Sequence, residues 1–309
     1  MTTHFLAECL ATPWAMQPER MAAYAAVLAR RYAGRLGAAL QAGGMDEDDH
    51  GAPLKPRAAA PQRIGNGGKG ATAVIPVYGT IMQRSSQINI CDGGTSTQAI
   101  SQALRQANAD DSVASIVLDI DSPGGSVYGV AELAAEIRAS AKPVTALANS
   151  LAASAAYWIG TAAAEFFVTP GGEVGSIGVW MAHEDWSKAM AEAGVDVTLI
   201  SAGKFKTEGN PYGPLPAEAK DFMQSRTNDY YGAFTRDVAK GRNTTADAVR
   251  NGMGQGRVLG ATQAKAEGMV DGVMTFDQVI RHAQRTTGPK GRSASHQRAT
   301  QLTLLALQG

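Results

Sequence analysis

Three short stretches of this sequence carry residue types suited to acyl transfer. The first is residues 121–126 (DSPGGS), placed between an apolar run and a helical pattern. Pro123 fixes φ, and Gly124 and Gly125 let the backbone turn without Cβ clashes. Such a turn can aim backbone N–H groups into a cleft, where they suit an anion or oxyanion. Alone it reads equally as an ordinary strand-to-helix turn. The second is residues 150–158 (SLAASAAYW), with Ser154 at a predicted strand-to-helix transition. Small neighbours would let a substrate backbone reach the hydroxyl. A small-residue packing face is the plain alternative, and the pattern is not the GxSxG elbow. The third is residues 201–210 (SAGKFKTEGN), where Lys204 and Lys206 flank Phe205. A lysine can act as general base once desolvation lowers its pKa, and is otherwise a solvated loop charge. A loop of this length does not say which of the two faces a cleft.

Other chemistries lack their residues. The histidines are His4, His50, His183, His282 and His296, and only His183 lies in the compact part. A Ser-His-Asp triad would need it, although a surface or capping role is simpler. HExxH, CxxC and GxxxxGK[ST] patterns are missing, which leaves zinc-hydrolase and P-loop readings without support. Residues 171–178 (GGEVGSIG) follow a strand but do not match GxGxxG. Cys9 and Cys91 form neither a disulfide framework nor a zinc site, which suits a reducing compartment. The acidic run at 46–49 reads as a solvated segment. The expectation is a site without metal or cofactor.

The elements that must position these residues begin at Ala71. Strands are predicted at 73–78, 114–120, 143–147, 166–169 and 195–200, with helices at 95–108, 128–141, 154–163, 183–193 and 216–240. A smaller αβ piece ends near Ile280. Strands alternating with helices at this rhythm indicate an α/β fold with parallel strands. Residues 1–41 read as an N-terminal helical extension, with a candidate assembly helix at 18–32. Residues 42–70 read as a Gly/Pro/acidic linker, 71–280 as the catalytic domain, and 281–309 as a basic, disordered tail. Deleting 1–65 should then spare the core.

The 309 residues are 44% hydrophobic and 18% charged, enough to bury a core. Lys+Arg and Asp+Glu are 28 each, so general nucleic-acid binding is not expected. Residues 143–164 are free of charge but built from Ala, Ser, Thr, Asn and Gly. A span needs about 20 mostly apolar residues, so no membrane span is expected. The N-terminus shows no secretory signal pattern.

Taken together and in this order, the pieces resemble the signal-peptide-peptidase-A family of serine peptidases, similar in fold to Clp protease and the crotonases. The resemblance covers residues 71–280. It rests on 74–79 (VIPVYG), 121–125 (DSPGG), 152–158 (AASAAYW), 175–179 (GSIGV), the Phe205-Lys206 pair, and Gly256-Arg257-Val258 with Gln263-Ala264 and Val270-Asp271. It implies a repeated ββα superhelix and a Ser/Lys dyad. The family's nucleophile and its [YF]K lysine stand about fifty residues apart. Lys206 lies 52 residues after Ser154, so the carry-over lands on Ser154 and Lys206, not Lys204.

The implied oxyanion donors are the N–H groups of Gly125 and Ala155, with Gly124 the less favoured, and Ser176 orients the lysine. Ala155 and Ala156 replace the usual Gly-Gly after the nucleophile. That departure, the lack of a membrane anchor, Met181-Ala-His183 and Gly209-Asn-Pro-Tyr212 look closer to the capsid assembly proteases of lambda-like tailed phages. Expected partners are procapsid proteins (scaffold, portal-associated and capsid proteins) and further copies of the chain. The expected setting is host cytoplasm or procapsid, in soluble form. The short basic tail offers little room for a fused scaffold. A cytoplasmic signal-peptide-peptidase-like protease, a crotonase-like acyl-thioester enzyme and a non-catalytic capsid component remain as alternatives.

Overall fold

The computed structural model describes residues 12–16, 21, 61–64, 70–84 and 94–286. Its centre is a sheet of mainly parallel strands. The long ones are β3 (Ala71–Tyr78), β6 (Val113–Ser122) and β8 (Val144–Ala153). Their middles are runs of Val, Ile, Leu and Ala, as expected for strands buried on both faces. β3 pairs parallel with β6, and β6 with β8. β8 is flanked by β9 (Glu165–Val168) and by β10 (Glu173–Gly175), both parallel to it. At the margins, β2 (Gln62–Ile64) runs antiparallel to β3, β11 (Val258–Gly260) antiparallel to β10, and β12 (Gly272–Val273) parallel to β9.

Alternate residues of each strand feed two cores. Ile75, Ile116, Leu118 and Ile120 face the larger one, under α1 (Thr97–Ala109), α2 (Val130–Arg138) and α3 (Ala155–Gly160). Their intervening neighbours Val74 and Val117, with Leu147 and Phe167, face the other. There α8 (Phe276–Thr286) buries Val279, Ile280 and Ala283. Ser96 caps α1 by accepting the Ala99 N–H at 3.2 Å. The remaining helices are α4 (Ser187–Glu192), α5 (Ala217–Gly241), α6 (Ala246–Asn251) and α7 (Ala261–Ala266).

A second, small sheet stands over the carboxyl ends of the main strands. In it β7 (Gly124–Ser126) lies between β1 (Trp14–Met16) and β4 (Ile81–Met82), with β5 (Thr95–Ser96) beyond.

Four expectations change. Trp14–Met16 is a strand of this sheet, not part of a helical extension. Gln62–Ile64, expected in the linker, edges the main sheet, so deleting residues 1–65 removes two strands. Residues 281–286, expected in the tail, continue α8, because its apolar stripe closes the second core. Residues 195–200, expected as a strand, form none: Val195, Val197, Leu199 and Ile200 are all exposed and find no sheet edge. Apart from Met21, the 18–32 helix lies outside the described residues, as does the rest of the tail.

Candidate active site

Ser154 directly follows β8 and stands at the N-cap position of α3 without a side-chain capping bond. Its backbone sits at φ 57°, ψ −118°, which no side chain adopts freely and which costs about 1–3 kcal/mol. Two bonds hold it there: Ser154 N–H donates to Gly175 O at 2.7 Å, and Trp158 N–H donates to Ser154 O at 2.9 Å. Behind it, α3 is wholly buried. The Trp158 ring stacks on Phe234 at 4.7 Å, and its indole N–H donates to Asp237 Oδ2 at 2.9 Å. Asp237 also takes Arg138 Nη2 at 3.0 Å. The Tyr157 hydroxyl donates to Met269 O at 2.9 Å, and burial pushes its pKa above the usual phenol range. The serine therefore stands on a shelf fixed from several sides.

Its Oγ is buried and has no hydrogen-bond partner among the described residues. Leaving a hydroxyl so costs about 1–3 kcal/mol, a cost more typical of chemistry than of packing.

The predicted turn at 121–126 borders this serine, as a strand rather than a loop. A Cβ on Gly125 would fall 1.8 Å from Ile81 O, and one on Gly124 would fall 2.2 Å from Ala15 O and 2.9 Å from Ser154 Cβ. Only glycine fits between β1, β4 and the nucleophile. Gly124 N–H donates to Ser122 Oγ at 3.2 Å, and that hydroxyl donates to Gly79 O at 2.6 Å. Ser176 follows Gly175, which stands opposite Ala153 across the parallel pair β8–β10. Ser154 and Ser176 thus leave neighbouring strands at one level, both at positive φ, 57° and 54°. The Ser176 N–H is held by Arg257 O at 2.8 Å.

The two lysines part company. Lys204 pairs with Glu218 at 3.1 Å and lies over the Phe205 ring, 4.4 Å from its centroid. Lys206 is exposed in a turn closed by its own N–H to Gly203 O at 3.1 Å. No hydrogen bond joins it to Ser154 within one chain. Both lysines sit on an outlying arm, roughly residues 183–215, where α4 buries none of its residues. His183 Nε2 meets Asn210 O at 2.9 Å and makes no bond to Ser154, so no Ser-His pair forms.

Two features escaped the sequence reading. Strand β1 lies against the glycine turn. Asp119, buried within β6, accepts from the Tyr78 hydroxyl and from Asn149 Nδ2 at 3.0 Å. A carboxylate inside an apolar run was the available signal for the second; a three-residue strand leaves none. Among the described residues, no group of three or more His, Cys, Asp or Glu is placed to hold a metal. None of their helices is long and apolar enough to cross a membrane.

Comparison with known proteins places two family patterns on this geometry. Peptidase family S49 matches residues 136–289, and Clp protease matches residues 70–174. The capsid assembly protease C of Escherichia phage lambda is 38% identical over 198 residues, 63% of this chain and 43% of that protein. The head-tail preconnector protein GP5 of Enterobacteria phage P21 is 39% identical over 196 residues, 62% of this chain and 38% of that protein. The chain thus spans about two fifths of these relatives. Among solved structures, a point mutant of ClpP1 from Listeria monocytogenes has a TM-score of 0.44 at 15% identity, covering 67% of this chain and 94% of that one.

Proposed function

The chain carries a peptidase family S49 domain in a Clp protease-like fold, and on that premise we propose a serine endopeptidase that works through a Ser154/Lys206 dyad. The observation that carries the reading is the buried Ser154 Oγ, without a hydrogen-bond partner among the described residues, beside a glycine strand. The neutral Lys206 amine takes the Oγ proton, and Ser154 attacks the peptide carbonyl. The N–H groups of Gly125 and Ala155 receive the oxyanion, each contributing about 2.7–4 kcal/mol. Gly124 is the alternative donor, since it lies closest to Ser154 but already faces Ser122 Oγ. Lysine, now protonated, gives its proton to the leaving amine, then activates the water that releases the acyl group. Ser176, one residue beyond the strand beside Ser154, orients the amine. This chemistry needs no cofactor.

The working unit in this reading is a homo-oligomer, which is supported by Lys206 standing exposed on an arm that also bares Val195, Val197, Leu199 and Ile200. In it the arm is covered by a neighbouring copy, and the dyad is completed between subunits. The substrates are procapsid proteins: scaffold, portal-associated and capsid chains. The similarity to a capsid assembly protease and a head-tail preconnector protein supports this class. The setting is a host cytoplasm or procapsid. Neither nucleic acid nor a membrane is required.

The test is mass spectrometry of the purified protein mixed with candidate capsid and scaffold proteins. Defined fragments that disappear with Ser154→Ala support the reading. Intact partners overturn it, and hydrolysis confined to an acyl-CoA panel would select an acyl-thioester enzyme instead.

A further inference from the structure

Strand β1 lies along the glycine strand beside Ser154. It runs antiparallel to β7, with Trp14 opposite Ser126, Ala15 opposite Gly125 and Met16 opposite Gly124. Val127 N–H donates to Pro13 O at 3.2 Å, which makes Ala15 and Gly125 the next bonded pair of the antiparallel ladder. On its other edge Trp14 exchanges both backbone bonds with Trp180, at 2.9 and 3.0 Å. Trp180 also donates its indole N–H to Met16 O at 2.7 Å. Residues 13–16 are therefore clasped between two backbone segments, as an extended peptide is bound by strand addition. Trp14, Ala15 and Met16 are all buried, and Trp14 and Met16 pack with Met21, Met82 and Trp180.

The position along the cleft matters more than the pairing. The Ala15 carbonyl oxygen and Ser154 Cβ both lie within 3 Å of one point, the place of a Cβ on Gly124, at 2.2 and 2.9 Å. In this register the Ala15 carbonyl faces the N–H of Gly125, the donor assigned above to the oxyanion. A small residue thus presents its carbonyl beside the nucleophile, with the preceding residues laid along the glycine strand.

We infer that residues 12–16 are a built-in occupant of the substrate groove, a strand of this chain that excludes other peptides until it is displaced. The inference rests on the peptidase reading for its meaning but not for its test. Because the strand belongs to the same chain, its return to the groove is intramolecular, at an effective concentration on the order of 1 mM. A free peptide that binds the empty groove with Kd of about 0.1 mM is then weakened roughly tenfold.

The experiment uses the full chain carrying Ser154→Ala, so that no chemistry enters. The probe is a fluorescent hexapeptide of residues 12–17 (TPWAMQ), and its binding is read by anisotropy. Adding Ala15→Pro removes the N–H that β1 gives to the ladder. The expected result is at least about tenfold tighter binding with Ala15→Pro than without it. Equal binding, or none to either protein, overturns the inference.

Should Ala15→Pro fail to fold, hydrogen exchange on the Ser154→Ala chain decides. Excess hexapeptide must speed exchange of the Trp14 amide. Unchanged exchange means a fixed structural strand. Failure of the peptidase reading would show separately, as absent cleavage alongside intact peptide competition.

Discussion

The shelf under Ser154 and the arm bearing Lys206 are built on opposite principles. The shelf is over-determined: a strained serine held by Gly175 O and Trp158 N–H, on a helix pinned through Trp158, Phe234 and Asp237. The arm has one short helix with nothing buried, and Ile200 is 95% exposed. A nucleophile must be held within a fraction of an ångström, and a packed interior can do that. The arm that carries Lys206 has no such support among the described residues. The contrast teaches that folding alone fixes Ser154 and leaves Lys206 exposed.

The strongest way to break that comparison is at the two reacting groups. Ser154→Ala and Lys206→Ala should each lower peptide cleavage by about a thousandfold or more, since groups acting as a unit fail together. Circular dichroism should show both folded. Lys204→Ala, which loses only a surface ion pair and a ring contact, should keep most activity. Wild-type rates for Lys206→Ala would remove the dyad.

Mixing sharpens it. Ser154→Ala and Lys206→Ala proteins, each inactive, should regain partial cleavage when assembled together, because some interfaces then hold both intact groups. A mixture that assembles and stays inactive places both groups in one chain.

Next in size, Asp237→Ala should destabilise the fold by about 1–3 kcal/mol. It orphans the buried Trp158 indole and unpairs Arg138. The loss should appear in thermal melts, with little change in turnover per folded molecule.

Ile200→Asp on the arm should leave stability within about 0.5 kcal/mol, as exposed substitutions do. It should reduce the assembled fraction in light scattering; an unaltered mass would mean that Ile200 is not at the subunit contact.

The long apolar strands and the order of motifs were legible because buried parallel strands read as continuous Val, Ile, Leu and Ala. Ser154 at a strand-to-helix junction followed from the same pattern. What could not be read depends on distant partners. Three residues, Trp14–Met16, form a strand only because Gly124 and Gly125, more than a hundred positions later, leave no side chain in the way. Conversely, the alternating Val195, Val197 and Leu199 look like a strand, yet within one chain no edge receives them. Lys204 and Lys206 are the same residue type two positions apart, and what separates them is that Lys204 pairs with Glu218 and lies over the Phe205 ring. Asp237 closes a network with Trp158, 79 positions away, which no local pattern announces.

Helix α8 also decides where this polypeptide can be cut. The motifs end before it, so trimming at Ile280 looks harmless. It would remove Ala283 and half of the helix, laying open Val74, Val117, Leu147 and Phe167. Such a face, broad and greasy across the middle of a sheet, seeks company of its own kind. A shortened protein would keep every reacting group and yet clump, and its silence in an assay would be a matter of solubility rather than of catalysis.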